Sequence, residues 1–289
     1  MLNKIPKILD GKVTFIIGSD KNAGKTTFLN YASRRVKTLS SPVLVSVGID
    51  GEKQDSLLSI PKPQVLADED DYIITTDKML CASSGRFQIM EVFPFRTVLG
   101  RVLLAKTIRK GYVELVGPEH NEQLSDILNY VKNEKGLNTI LVDGAVNRLT
   151  QVSTSSDASF IYVLKVTNDN LNSSIEKMRS IYLLNSIKKF DGKKSGKHVE
   201  LNGALTKNKL EGIEVADKSL VLEDFTRVFL DYNGIKKLLN KTTLYFKTIF
   251  KLQCFVVNLV DIDISHFDNK LDDDIRKLVM YNPYMEPVS

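Results

Sequence analysis

The first half of the chain alternates between short apolar runs and longer amphipathic stretches. Residues 13–17, 43–47 and 139–142 are mostly β-favouring, and a glycine or a carboxylate follows each run. Continuous apolar runs of this length are typical of strands that are buried on both faces of a parallel sheet. Apolar residues at helical spacing lie within residues 28–36 and 124–131. The pattern predicts an α/β fold with a mostly parallel central sheet flanked by helices.

The region between the second and third runs is less regular. Residues 101–107 and 111–116 flank Ile108-Arg109-Lys110, and this arrangement predicts a β-hairpin. The acidic run Asp68-Glu69-Asp70-Asp71 has two interpretations. A solvated loop is favoured, and a metal site is the alternative.

The second half of the chain begins with a predicted strand at residues 158–166 and a predicted helix at 171–185. The composition then changes at residues 190–198, where Gly, Ser and Lys are frequent, and this change predicts a domain boundary. We therefore predict a larger domain over residues 1–190 and a smaller α/β unit over residues 199–289. The smaller unit is expected to hold four strands and one helical face, at residues 201–205, 220–222, 227–230, 254–260 and 271–278.

The composition of the 289 residues, with 43% apolar and 26% charged residues, is that of a globular protein. No apolar run approaches the ~20 residues that a membrane-spanning helix requires, and the N-terminus lacks the apolar core of a signal peptide. These features predict a cytoplasmic protein with no membrane contact. The formal charge of +5 is small for this length. The one dense basic run, residues 188–197, is interpreted as a solvated linker, so nucleic acid is not an expected partner.

The polar loop between the first strand and the first helix has the residue types of a phosphate-binding loop. Backbone N–H groups at a helix N-terminus lack intrahelical partners and, with the helix dipole, attract phosphate. Gly24 lets the main chain approach the phosphates, Lys25 supplies a charge for the β and γ oxygens, and the Thr26 hydroxyl can ligate Mg²⁺. A chance Gly-Lys-Thr in a turn is the competing interpretation. The predicted nucleotide-binding residues are Gly18, Ser19, Asp20, Lys21, Asn22, Ala23, Gly24, Lys25, Thr26 and Thr27.

Asp143 follows the run at residues 139–142 directly, which matches the Walker B pattern of four β-favouring residues and an acid. In that pattern the carboxylate holds Mg²⁺ directly or through water. A capping or turn role for Asp143 is the alternative. Together with the phosphate loop, Asp143 makes the predicted Mg-ATP site more specific than either motif alone.

The loop sequence GSDKNAGKT resembles the GTDTxVGKT of dethiobiotin synthetase, in a P-loop branch that includes MinD-type ATPases and metallochaperone GTPases. Gly144-Ala145, after Asp143, resembles the EGAGG of dethiobiotin synthetases. In MinD-type relatives an aspartate after the second strand helps to place Mg²⁺ and the attacking water, and Asp50 resembles that aspartate. A turn aspartate beside two glycines is an equally weighted alternative. The resemblance implies catalytic roles for Lys25, Asp50 and Asp143, and a metal site formed by Thr26, Asp50 and Asp143.

Over most of its length the chain resembles the P-loop subunit proposed to reactivate adenosylcobalamin-dependent lysine or ornithine aminomutases. The resemblance is carried by SSGRFQIMEVFPFRTVLGRV, GYVELVGP, TILVDGAVNR, LNGALTK and EDFTRVFL. It implies an ATP-driven accessory protein with low intrinsic ATPase turnover that helps to expel damaged cofactor from a partner enzyme. The expected partners are thus a nucleotide and a protein such as an aminomutase, and a homodimer is a further alternative.

Two other functions stay open from the sequence. A ligase of the dethiobiotin synthetase type would carry Lys-Pro after the second strand, whereas residues 45–50 read VSVGID. A nucleotide-binding scaffold without turnover is the third interpretation. The segment at residues 165–169 reads KVTND and lacks the NKxD that GTPases use to read guanine, which favours ATP over GTP.

Overall fold

The fold is that of a computed structural model, which describes residues 4–18, 22–47, 64–118, 120–144, 158–192, 197–212 and 218–284. The chain divides into two compact units, Met1–Val163 and Leu164–Ser289. The predicted boundary at residues 190–198 lies inside the second unit and stays a prediction. Within the described residues no helix has both the length and the apolar character needed to cross a membrane.

The first unit contains strands and helices in alternation. Its strands are β1 (Val13–Gly18), β2 (Val43–Ser46), β3 (Val65–Ala67), β4 (Tyr72–Thr76), β5 (Arg86–Thr97), β6 (Gly100–Arg109), β7 (Gly111–Val113), β8 (Ile140–Asp143) and β9 (Ser159–Val166), the last of which continues into the second unit. Its helices are α1 (Ile5–Leu9), α2 (Lys25–Val36), α3 (Asp77–Ala82) and α4 (Asn121–Asn133).

The main sheet of this unit has the strand order β9-β1-β8-β2-β4-β6-β5. The pairs from β9 to β4 are parallel, and β6 and β5 extend the sheet with antiparallel pairs. All six residues of β1 are buried, as are the apolar residues of β2 and β8. The predicted α/β class, with a mostly parallel sheet flanked by helices, is confirmed. The continuous apolar runs were informative because both faces of these strands are covered.

The predicted hairpin of residues 101–107 and 111–116 is wrong. Strand β6 instead forms a hairpin with β5, and the chain reverses before Gly100, whose φ of +122° suits glycine. Only Lys110 separates β6 from β7, and one residue is too short a connection for the two-residue turns that close hairpins. Strand β7 therefore pairs antiparallel with β3 in a separate two-stranded sheet.

The acidic run at residues 68–71 is neither a fully solvated loop nor a metal site. Asp71 is completely buried, and its Oδ2 accepts a hydrogen bond from Asp68 N at 2.8 Å. The described residues contain no group of three or more His, Cys, Asp or Glu that could hold a metal ion. The carboxylates form ion pairs with nearby basic side chains: Lys37–Asp71 at 3.2 Å, Arg34–Asp68 at 3.6 Å, Lys106–Asp70 at 2.8 Å and Lys110–Asp68 at 2.5 Å.

The second unit also contains both helices and strands. Its helices are α5 (Leu171–Asn185), α6 (Lys207–Glu211), α7 (Tyr232–Lys241), α8 (Ile264–Asp268) and α9 (Asp273–Arg276). Its further strands are β10 (Lys188–Lys189), β11 (His198–Glu200), β12 (Leu205–Thr206), β13 (Ser219–Leu222), β14 (Val228–Phe229), β15 (Leu244–Phe246), β16 (Lys251–Leu259) and β17 (Val279–Tyr281).

A four-stranded parallel sheet of order β10-β15-β13-β11 is the centre of this unit. Parallel pairs also join β12 to β14 and β16 to β17. The strand predicted at residues 201–205 is wrong over most of its length, because the chain leaves the sheet after Glu200 and Gly203 turns with a φ of +87°. The helical face predicted at residues 271–278 is reduced to the four residues of α9.

Candidate functional site

In the segment predicted to bind phosphate, a strand precedes a helix, as the sequence predicts. Strand β1 ends at Gly18, and α2 begins at Lys25 with Gly24 as its N-cap. Gly24 has a φ of +94° and Asn22 a φ of +62°. These are left-handed conformations, which glycine adopts freely and asparagine tolerates. The chain therefore curls tightly into the helix N-terminus, where unpaired N–H groups and the helix dipole favour an anion.

Gly18 is the position at which the side chain of Lys25 passes the end of β1. A Cβ atom added to Gly18 would lie 3.3 Å from Lys25 Cγ and 2.8 Å from the carbonyl oxygen of Val163 on β9. The stem of the lysine thus runs back over the strand end, close to the main chain. This contact gives a physical reason for a glycine at residue 18, one position earlier than in the common form of the motif.

Asp143 lies at the carboxyl end of β8, between the ends of β1 and β2. Its register partners are Ile16 on β1 and Ser46 on β2. Its carbonyl oxygen accepts a hydrogen bond from Val47 N at 2.9 Å, and Gly144 N donates to Ile16 O at 3.3 Å. The backbone on both sides of the carboxylate is therefore fixed. Ligands of open parallel sheets bind at this edge.

The sheet order brings Asp143 close to the first turn of α2. The Thr26 hydroxyl, in the first turn of α2, donates a hydrogen bond to Asp143 Oδ2 at 3.3 Å. Both side chains are partly buried. The pair presents a hydroxyl and a carboxylate oxygen beside the helix N-terminus, and hard oxygen ligands of this kind suit Mg²⁺.

The ligand set near Asp143 also fits the way in which Mg²⁺ is usually bound with nucleotides. Mg²⁺ commonly takes one or two carboxylates together with phosphate oxygens and water, and seldom an all-protein cage. The described residues supply one carboxylate and one hydroxyl here. Thr26 and Asp143 would hold the ion, which when bound neutralises charge on the β and γ oxygens.

Helix α2 is held in place by contacts that the sequence did not indicate. Its inner face, including Leu29 and Ala32, is fully buried. On the outer side, Asn30 Oδ1 accepts a hydrogen bond from Leu66 N at 2.9 Å, and its Nδ2 donates to Gln64 O at 3.4 Å. These partners are backbone groups 34 to 36 residues away. The sequence could offer only one signal for them, a polar residue beside buried helix positions.

Several predicted site residues lie outside the described residues, namely Ser19, Asp20, Lys21 and Asp50. Their roles stay predictions. Among the described ones, Ala23 is buried and Gly24, Lys25 and Thr26 are half-buried, whereas Asn22 and Thr27 are exposed.

The KVTND segment at the end of β9 serves a local structural role. Asn170 Oδ1 accepts a hydrogen bond from Thr167 N at 2.8 Å, as part of a capping box. Asn168 Nδ2 donates to the carbonyl oxygen of Asp261 at 3.2 Å. These side chains stabilise the turn that leads into α5.

Comparisons of the chain with protein-family models, with curated proteins and with solved structures find no match.

Proposed function

We propose that this chain is a Mg-ATP-binding P-loop ATPase that acts as a nucleotide-dependent switch or accessory protein for a partner enzyme. The observation that carries the proposal is the hydrogen bond between Thr26 and Asp143 beside the N-terminus of α2. This arrangement is supported by the left-handed turn at Gly24 and by the Lys25 stem that crosses Gly18. Each group matches a part of the phosphoryl-transfer machinery.

The proposed roles follow from the chemistry of each side chain. The N–H groups at the start of α2 bind the phosphates, and the Lys25 ammonium attracts the β and γ oxygens. Thr26 and Asp143 would hold a magnesium ion, which would supply positive charge to neutralise the phosphates. The resemblance to the aminomutase reactivase subunit supports the accessory role, and slow turnover without a partner is expected from it.

Lys25→Ala tests the site assignment. The substitution removes the point charge but leaves the helix intact, because alanine has the highest helix propensity. We expect at least a tenfold loss of Mg-ATP affinity in calorimetry, since a hydrogen bond to a charged group contributes about 1.5–3 kcal/mol. Lys12→Ala, a lysine just before β1, is the control and should bind as the wild type does. Equal affinity in Lys25→Ala and wild type would refute the assignment.

A further inference from the structure

The open edge of the first unit's sheet carries an ordered set of exposed side chains. Among the described strands, β5 is the last of this sheet and pairs with β6 alone. Residues directly opposite each other in an antiparallel pair lie on the same face. The register between β5 and β6 gives five such pairs on one face: Arg86 with Arg109, Phe87 with Thr107, Ile89 with Ala105, Val92 with Leu103, and Arg96 with Arg101.

The pairs formed by Ile89 and Val92 make an apolar strip that is open to solvent on the β5 side. Ile89 is 55% exposed and Val92 is 45% exposed. Their partners on β6, Ala105 and Leu103, are buried. Two large aliphatic side chains at the edge of the sheet are thus exposed to water. Burial of each against a partner would be favourable.

The two outer pairs place like charges opposite each other at both ends of this strip. All four arginines are exposed, and the described residues provide none of them with an ion pair. Asp77, near Arg101, binds its backbone N–H and not its guanidinium group. Like charges that face each other across strands are destabilising. A ligand with negative charge would relieve this repulsion.

The opposite face of β5 is covered by α4, so the exposed strip lies on the other face of the sheet. The Tyr130 hydroxyl of α4 donates a hydrogen bond to the Glu91 carboxylate. Phe93 packs edge-on against the Tyr130 ring, with the centroids 5.5 Å apart. Helix α4 therefore covers that face, and its contacts engage Glu91 away from the arginines.

We propose that this strip docks an acidic segment of a partner protein, with aliphatic side chains at its centre and carboxylates at both ends. Arg101 and Arg109 are eight residues apart on β6, which corresponds to about 27 Å. An extended segment of about eight residues would span this distance. The partner side chains would cover Ile89 and Val92 and pair with the arginines.

The structure favours docking through side chains rather than addition of a strand. Pro94 lies within β5 and is exposed, and the β5–β6 pairing has three register shifts. Both features discourage pairing at a sheet edge. A protein segment is favoured over nucleic acid because the most exposed side chains between the arginines are aliphatic, whereas single strands bind through stacking on aromatic rings.

The docking site goes beyond the function proposed above, because it states the chemistry of the partner. A role in switching would rest on that function, but docking itself does not. The two can be separated with Lys25→Ala, which lies in the nucleotide site and should keep full affinity for a docked segment.

The test is a selection of random 12-residue peptides, displayed on phage, against the immobilised full chain. Enriched peptides are then synthesised with a fluorescent label, and their affinities are measured by anisotropy. We expect an enriched pattern of Asp or Glu at both ends with Val, Ile or Leu between them. Arg96→Glu with Arg101→Glu, and Ile89→Ser with Val92→Ser, should each weaken binding at least tenfold. Lys237→Glu with Lys241→Glu on α7 makes the same change in charge elsewhere and should change affinity less than twofold.

Circular dichroism tests whether each variant is folded. If the double variant Arg96→Glu with Arg101→Glu is unfolded, the milder Arg96→Gln with Arg101→Gln replaces it. Higher salt should weaken binding, because the arginine contacts are exposed. The proposal is overturned if no peptide is enriched, if the enriched peptides lack acidic residues, or if all variants bind them equally. Displacement of the peptides by a single-stranded oligonucleotide of similar length would overturn it in favour of nucleic acid.

Discussion

The Thr26 hydroxyl donates a hydrogen bond to Asp143 Oδ2 at 3.3 Å, although 117 residues separate the two in sequence. Thr26 lies in the first turn of α2, and Asp143 ends β8. The contact exists because β8 lies directly beside β1, the strand that precedes α2. It joins the predicted phosphate site to the predicted metal site.

Thr26→Ala and Asp143→Asn should reduce Mg-ATP binding and hydrolysis more than ATP binding in EDTA. Thr26→Ala removes the hydroxyl ligand of the proposed metal site, and Asp143→Asn replaces its charged carboxylate with a neutral amide, which is a weaker ligand for Mg²⁺. In EDTA, Asp143→Asn should bind ATP as tightly as wild type or more tightly, because the variant lacks a negative charge near the phosphates. Titration calorimetry with and without Mg²⁺ measures both quantities. Thr26→Ser keeps the hydroxyl and should restore most of the binding; equal losses with and without Mg²⁺ would contradict the metal role.

Gly18→Ala should destabilise the protein by about 1–3 kcal/mol and also weaken ATP binding. The new methyl group would lie 2.8 Å from Val163 O, which is a backbone atom, and 3.3 Å from Lys25 Cγ. The lysine stem must then move from its position beside the strand end. Urea unfolding gives the change in free energy. Gly212→Ala is the matched control, because among the described residues no atom comes nearer than 3.7 Å to its added Cβ. Equal stability of both variants would show that the end of β1 has room for a side chain.

Asp71→Asn should remove a pH dependence of stability. Burial raises the pKa of Asp71 from 3.8 to about 6, and the hydrogen bond from Asp68 N and the nearby Lys37 ammonium partly oppose this effect. The folded state therefore binds more protons than the unfolded state between about pH 4 and about pH 6, and this contribution to stability falls as the pH rises. The pKa difference corresponds to about 3 kcal/mol.

The measurement for Asp71 is urea unfolding of the wild type and of Asp71→Asn at several pH values from 4 to 7. We expect the stability of the wild type to fall relative to that of the variant as the pH rises through this range. The difference should become constant above about pH 7, where Asp71 is ionised in both states. A difference that stays constant, or that increases with pH, would contradict the raised pKa.

ATP should compete better than GTP for the proposed site. The prediction rests on the absence of NKxD in residues 165–169, where Thr167 and Asn170 instead cap a turn. A fluorescent ATP analogue bound to the full chain can be displaced with each nucleotide in turn. Stronger displacement by GTP would overturn the prediction, and Lys25→Ala should bind the analogue weakly in either case.

The sequence by itself was sufficient for the local parts of the candidate site. The apolar run of β1, the glycines and the Lys-Thr pair specify a strand, a loop and a helix within about 25 residues, because each depends on neighbours in sequence. The strand that ends in Asp143 was predictable for the same reason. The α/β class also followed, since buried parallel strands are apolar on both faces.

Only the tertiary structure decided which distant elements meet. The hairpin partner of β6 was mispredicted because the residue pattern does not specify which strands pair. In the structure, the one-residue gap at Lys110 and the turn before Gly100 determine the pairing. Asp71 became a buried ion-paired carboxylate because Lys37, at the C-terminal end of α2, reaches it from 34 residues away. In the same way, the position of β8 beside β1, a consequence of packing across the whole sheet, placed Asp143 within hydrogen-bond distance of Thr26.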